Sequence, residues 1–158
     1  MEQNSHTHFK RILFCTDLSD NADFAFSFAL DAALRRPGSE LYLLHVIPES
    51  EAQFWKTYMY EVEDVDNKAK HDLDERVRDA YVSKLPDGVN MQIEYRIGKD
   101  SQEILTFARE KNVDLIIMGR QGHGSLQKAF FGSVTEKIAR KADCPIMVIP
   151  MAYKEHTK

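Results

Sequence analysis

Cysteine is nearly absent: Cys15 and Cys144 are the only two in 158 residues. A chain of this length needs no disulfide framework to hold a core, because a single domain of its size buries about 70% of the surface that its unfolded form exposes. Long apolar runs are missing as well. None approaches the roughly 18–20 residues of a membrane helix, and Met1–Lys10 is polar, without the apolar centre of a secretion signal. Positive charge is in deficit, with 21 Lys and Arg against 25 Asp and Glu and a net charge of −4. That argues against nucleic acid and against anionic membranes as partners, since proteins that bind either usually present a basic face. His-Glu-x-x-His, Gly-x-Ser-x-Gly and Cys-x-x-Cys do not occur, so no catalytic residue is assigned. The closely spaced pair His6-Thr-His8 lies in the polar terminus and is weak ground for a metal site. The expectation is a cytoplasmic protein whose partners are small molecules or other proteins.

What is present is an alternation of two kinds of segment. Arg11–Thr16 is a short apolar run that stops at Asp17-Leu-Ser19-Asp20, with Ser19 placed to cap a helix. Residues 20–36 then repeat apolar positions at helical spacing until Pro37-Gly38 ends the pattern. Leu41–Ile47 is nearly all apolar, as suits a strand covered on both faces. In the long connection that follows, Val62, Val65, Ala69, Leu73, Val77 and Ala80 fall on one helical stripe. Met91, Ile93, Tyr95 and Ile97 alternate with polar residues, the pattern of an edge strand. Asp100-Ser-Gln-Glu103 reads as a capping box opening a helix to about Lys111. Val113–Met118 reads as a fourth strand, Ser133–Ala142 as a fourth helix and Pro145–Ile149 as a fifth strand.

Five strands alternating with four helices predict an α/β fold, a single-domain open parallel sheet with helices on both faces. Cys15 then ends one strand and Cys144 begins a parallel one, about 17–20 Å away and beyond disulfide reach, so two reduced, buried thiols are expected. Ligands of such sheets bind beyond the carboxyl ends of the strands, where the strand order reverses. The segment Gly119–Ser133, GRQGHGSLQKAFFGS, leaves such an end. It is neither a Walker A loop, having no lysine before Ser125 or Ser133, nor a dinucleotide fingerprint, having Gln127 where a glycine is required. Glycines still let amides converge on an anion, and a helix beginning near Ser133 would add its positive end. The opposing reading is a plain turn, because Ser133-Val-Thr-Glu136 is itself a capping box. Composition alone leaves the two readings level.

Gly119, Gly122, Gly132 and Ser133 are spaced as G-x2-G-x9-G-(S/T), and the chain resembles the ATP-binding branch of the universal stress protein family. The likeness runs through Thr16-Asp17-Leu-Ser19, His45-Val-Ile-Pro48 and the closing GSVTEKIARKADCPIMVIP. The resemblance implies a Rossmann-like sheet ordered 3-2-1-4-5, with residues 1–9 a flexible N-terminus, 10–151 the domain and 152–158 a flexible tail. It implies that Thr16, Asp17 and the glycine loop share one crevice. Asp17 and Val46 would line the adenine and ribose, while Met118, Gly119, Gly122, Gly132, Ser133 and Val134 would surround ribose and phosphates. Arg120 and His123 lie in the loop without being fixed by the motif. The implied ligand is ATP, with ADP and AMP as alternatives, and Asp17 is a candidate Mg²⁺ ligand. For Asp17 the competing reading is a turn residue bonding its own backbone. Lys128 is a further candidate for a terminal phosphate.

The last strand lacks a central lysine or proline to guard its edge, which together with the resemblance points to a homodimer through Pro145–Ile149. Phe54-Trp-Lys-Thr-Tyr58-Met-Tyr60 is an aromatic cluster that would be a partner site if exposed; folded back it would be a flap over the nucleotide or pack on the sheet, and packing is the preferred reading. The leading reading of function is a nucleotide-regulated stress protein. A slow ATPase or self-phosphorylating enzyme and a nucleotide-independent interaction module are the alternatives.

Overall fold

Neighbouring residues along each central strand bury into opposite apolar clusters, and this sets the layers of the computed structural model, which describes residues 8–51, 66–120 and 128–156. The strands are β1 (Arg11–Thr16), β2 (Glu40–Pro48), β3 (Met91–Gly98), β4 (Leu115–Arg120) and β5 (Ile146–Pro150). They form one sheet in the order β3-β2-β1-β4-β5, with every pairing parallel, as the resemblance implies. Ile12, Phe14, Leu41, Leu43, Leu115 and Ile117 face one side; Leu13, Cys15, Tyr42, Leu44, Ile116 and Met118 face the other. Both sides are covered, so these strands read as unbroken apolar runs.

The helices are α1 (Asp20–Leu34), α2 (Asp66–Ala80), α3 (Asp100–Glu110), α4 (Lys128–Lys141) and a single turn, α5 (Tyr153–His156). Ala25, Phe26 and Ala29 of α1 and Leu73 and Val77 of α2 join the first cluster; Ile104, Leu105, Phe107 and Ala108 of α3 and Ile138 of α4 join the second. Alanines along α1 let it lie close to the sheet. The amino ends of β1 and β4 are tied by the Asp114 carboxylate, which accepts from the amides of Lys10 and Arg11. β3 stands at one edge, as its alternating pattern predicts, and β5 at the other.

Three local expectations need correction. The helix expected to open at Ser133 begins at Lys128, so Gly132 and Ser133 lie within α4 and Ser133-Val-Thr-Glu136 is not its capping box. The good helix formers Lys128 and Ala129 extend the helix backward, and an interior glycine costs only about 1 kcal/mol relative to alanine. At α3 the cap is Lys99 with no side-chain cap bond, and the Glu103 amide donates to the Lys99 carbonyl at 2.9 Å. The chain turns helical directly after Lys99, which moves Asp100 from the cap to the first helical position, beside the positive end of the helix. Cys15 is buried but Cys144 only half so, and both are free thiols. The segment after β5 forms the short helix α5, whose Tyr153 ring meets Phe28 at 5.9 Å between centroids. The aromatic cluster 54–60 and the stripe positions Val62 and Val65 lie outside the described residues.

Candidate functional site

Because β1 sits between β2 and β4, the chain leaves it toward one half of the sheet and leaves β4 toward the other, opening a crevice beyond their carboxyl ends. A cavity of about 510 Å³ occupies it, within the usual range for small-ligand sites. Its apolar wall comes from both layers: Ala22 of α1, Leu44 and Val46 of β2, Ile104 of α3, Met118 of β4 and Val134 of α4. Its polar groups include Thr16, Asp17, His45, Glu51, Arg76 and Asp100.

The floor is the turn from β1 into α1. Thr16 is buried, and its Oγ1 accepts from the Leu18 amide at 2.9 Å. The same hydroxyl is 2.5 Å from the phenol oxygen of fully buried Tyr81, which donates to Asp23 Oδ1 at 2.7 Å. With the phenol proton committed to a carboxylate, the threonine must be the donor of the pair. Tyr81 thus ties the end of α2 to the cavity floor and to the first turn of α1. Burial pushes its phenol well above the ordinary tyrosine range, so it stays protonated and can donate.

Leu18 adopts φ 64°, the left-handed region that costs a branched residue about 1–2 kcal/mol. The bond from its amide to Thr16 and the packing of its side chain on the first cluster offset that strain. Leu18 thereby presents Asp17 to the crevice, where Asp17 Oδ1 accepts from the Ser19 amide at 3.0 Å and from the Ser19 hydroxyl. Asp17 therefore makes the local turn and also lines the cavity; its Oδ2 has no partner among the described residues. Ser19 caps α1 as its type suggests, accepting from the Ala22 amide at 3.3 Å.

His45 pairs with Thr16 in the β1–β2 register, and its Nδ1 is 2.9 Å from the Thr16 carbonyl oxygen. A carbonyl only accepts, so Nδ1 carries the proton and a neutral His45 keeps Nε2 as an acceptor. Partial burial, together with the Asp17 charge, raises Asp100 above the ordinary aspartate range, while His45 opposes the shift. Desolvation likewise drives the Cys15 thiol far up, leaving it an inert group at the base of the cavity.

Gly119 is buried at the mouth of β4, where an added Cβ would stand 2.6 Å from the Asn21 carbonyl oxygen and 3.2 Å from the Ala22 amide nitrogen. The glycine lets the first turn of α1 close on β4, which shapes the crevice.

Of the residues expected at the site, Thr16, Asp17, Val46, Met118, Gly119 and Val134 line the cavity. Arg120 is exposed at the end of β4, its carbonyl accepting from the Met151 amide at 3.3 Å, and it is not part of the lining. Ser133 is exposed on α4 and outside the lining. Gly132 belongs to the first turns of α4, as does Lys128, which opens it. Gly122 and His123 fall outside the described residues. Sequence reasoning did not single out Leu18, His45, Glu51, Arg76 or Asp100 as site residues. Asp100 and His45 carry a readable signal, since each stands near the carboxyl end of a strand; Arg76 carries none.

Among the described residues no group of three or more His, Cys, Asp or Glu could hold a metal by itself, and no helix is long and apolar enough to cross a membrane.

A five-stranded parallel sheet reversing at β1 and β4, with a ligand-sized cavity at the reversal, defines an open α/β protein of the Rossmann-like kind. The chain belongs to the universal stress protein family, whose model matches residues 8–150. It is 29% identical over 154 residues to universal stress protein MJ0577 of Methanocaldococcus jannaschii, covering 89% of this chain and 94% of that protein. Universal stress protein YxiE of Bacillus subtilis is 27% identical over 147 residues, covering 89% of this chain and 99% of its own. Among solved structures, universal stress protein UspA from Lactobacillus plantarum superposes with a TM-score of 0.68 at 28% identity, covering 90% of this chain and 99% of that one. A universal stress protein solved in complex with cAMP shares the fold at 16% identity and a TM-score of 0.58, covering 91% of this chain and 98% of that one.

Proposed function

We propose that this protein binds an adenine nucleotide, ATP in the first instance, as a regulatory ligand in a stress response. The observation that carries the reading is the cavity of about 510 Å³ at the strand-order reversal, opening where β4 runs into the glycine-spaced segment. Its apolar wall of Leu44, Val46, Ile104, Met118 and Val134 suits a planar base, and the polar floor around Asp17 suits a ribose. The fold accommodates such ligands, since a relative of the same fold was solved in complex with cAMP.

In this reading Asp17 and Val46 meet the adenine and ribose. Thr16 acts through its backbone, because its hydroxyl is already bonded on both sides. Met118, Gly119 and Val134 border the ribose, and Gly122, Gly132 and Ser133 face the phosphates, with Arg120 and His123 beside them. The positive end of α4 lies at Lys128, about 7 Å along the helix before Ser133, so the amides offered to a phosphate come from the start of that helix. Asp17 Oδ2 suits a Mg²⁺ ion that takes one carboxylate and fills its remaining positions with water and phosphate oxygens. The setting is the cytoplasm, and the assembly is a two-fold homodimer pairing the outer edge of β5, where Met147 is 39% exposed.

Thermal unfolding with ATP, ADP, AMP and cAMP tests the reading. At 100 times its dissociation constant a ligand adds about 2.7 kcal/mol, a rise of about 5–10 °C for a chain of this size. No rise with any of the four ends the proposal. Light scattering on the same sample tests the dimer, which fails if the mass is that of one chain.

A further inference from the structure

Among the described residues the charge on the cavity wall is mostly acidic. Asp17, Glu51 and Asp100 all border it, and among the described residues Arg76 is the only lysine or arginine that does. A polyanion entering beside three carboxylates meets repulsion unless a cation is near, so the placement of Arg76 matters to what the cavity can hold.

That placement is fixed by the fold. Arg76 lies on α2 between two points that anchor the helix to the sheet. On one side Tyr95 of β3 donates its hydroxyl to Asp74 Oδ1 at 2.9 Å. On the other, Tyr81 bonds to Thr16 and Asp23. Leu73 and Val77, on either side of Arg76 along the helix, are 7% and 1% exposed and hold α2 against the first apolar cluster. The backbone that carries the guanidinium is therefore not free to drift from the cavity.

Among the described residues the guanidinium is also uncommitted. Asp72 precedes Arg76 by four residues on the same helix, the favourable order for an acid–base pair. His71 pairs with Glu75 in that spacing at 3.5 Å, yet Arg76 makes no ion pair or hydrogen bond with any described residue. An arginine offers five donors in a planar fork that matches phosphate oxygens.

We infer that Arg76 is a specificity-determining residue that recognises the phosphate charge of the bound nucleotide from the α2 side of the cavity. This rests on the proposed nucleotide site. It makes the affinity gained from Arg76 depend on ligand charge, so that nucleotides benefit and the uncharged nucleoside does not.

The test is calorimetric titration of the full chain, wild type and the variants Arg76→Gln and Arg76→Lys, with ATP, AMP and adenosine at low and at raised salt. Arg76→Gln is expected to weaken ATP and AMP about 5-fold at low salt, less at raised salt, and to leave adenosine unchanged. Arg76→Lys should restore most of the loss. Equal weakening of all three ligands would mean that Arg76 only supports the structure, and unchanged ATP affinity in Arg76→Gln would mean that it makes no contact; either result overturns the inference while leaving the nucleotide site standing. A wild-type protein that binds none of the three overturns both.

Discussion

The position of a Cβ on Gly119 falls 2.6 Å from the carbonyl oxygen of Asn21, closer than real Cβ contacts come. The obstacle is the backbone of α1's first turn, which cannot swing aside as the end of a flexible side chain would. The glycine that opens the family's motif therefore has a packing role that needs no ligand.

Gly119→Ala is accordingly expected to destabilise the protein by about 1–3 kcal/mol, the usual cost of forcing extra volume into a packed site. Urea unfolding without nucleotide measures it. Gly38→Ala serves as the comparison: at φ +85° with nothing within 4 Å, it carries backbone strain of about 1–2 kcal/mol and no clash. A Gly119→Ala protein as stable as wild type would remove the packing role.

Tyr81→Phe deletes one oxygen and leaves two groups short of a partner. Asp23 loses a donor and the Thr16 hydroxyl loses its acceptor, both around the turn that holds Leu18 in its strained conformation. The expected loss is about 1–3 kcal/mol, read as a lower urea midpoint at unchanged slope. The nucleotide-induced rise in melting temperature should shrink too, because the same turn presents Asp17. No change in either quantity would mean that the Thr16–Tyr81–Asp23 chain contributes nothing.

Asp100 gives a pH dependence whose sign can be stated. Its carboxyl titrates above the ordinary aspartate range in the folded protein, chiefly through partial burial and then through the Asp17 charge, against the opposing pull of His45. The folded state thus holds this proton more tightly than the unfolded chain does. The resulting stabilisation is fully present below the unfolded value of about 3.9 and is lost as pH rises through the folded one. Asp100→Asn should therefore be more stable than wild type at neutral pH, with the difference shrinking as pH falls toward 4 in thermal melts. A difference that stays constant across that range would contradict the assignment.

By itself the sequence determined the fold class and pointed to the crevice at the strand-order reversal. The apolar runs at Arg11–Thr16 and Leu41–Ile47 and the helical stripes between them are periodic signals, and periodicity follows directly from the geometry of strands and helices. The glycine spacing and Thr16-Asp17 marked the crevice through the family resemblance, which puts both where strands end. Tertiary structure decided what lines that crevice and which bonds are already used. Whether Thr16 keeps a free hydroxyl depends on Tyr81, 65 residues further on, and whether Gly119 serves a ligand or a helix depends on where α1 lands. The start of α4 moved because local capping preferences are worth about 1 kcal/mol and yield to helix formers beyond them. Arg76 reaches the cavity only because α2 is anchored on both sides of it, a matter of distances between elements that no local pattern encodes.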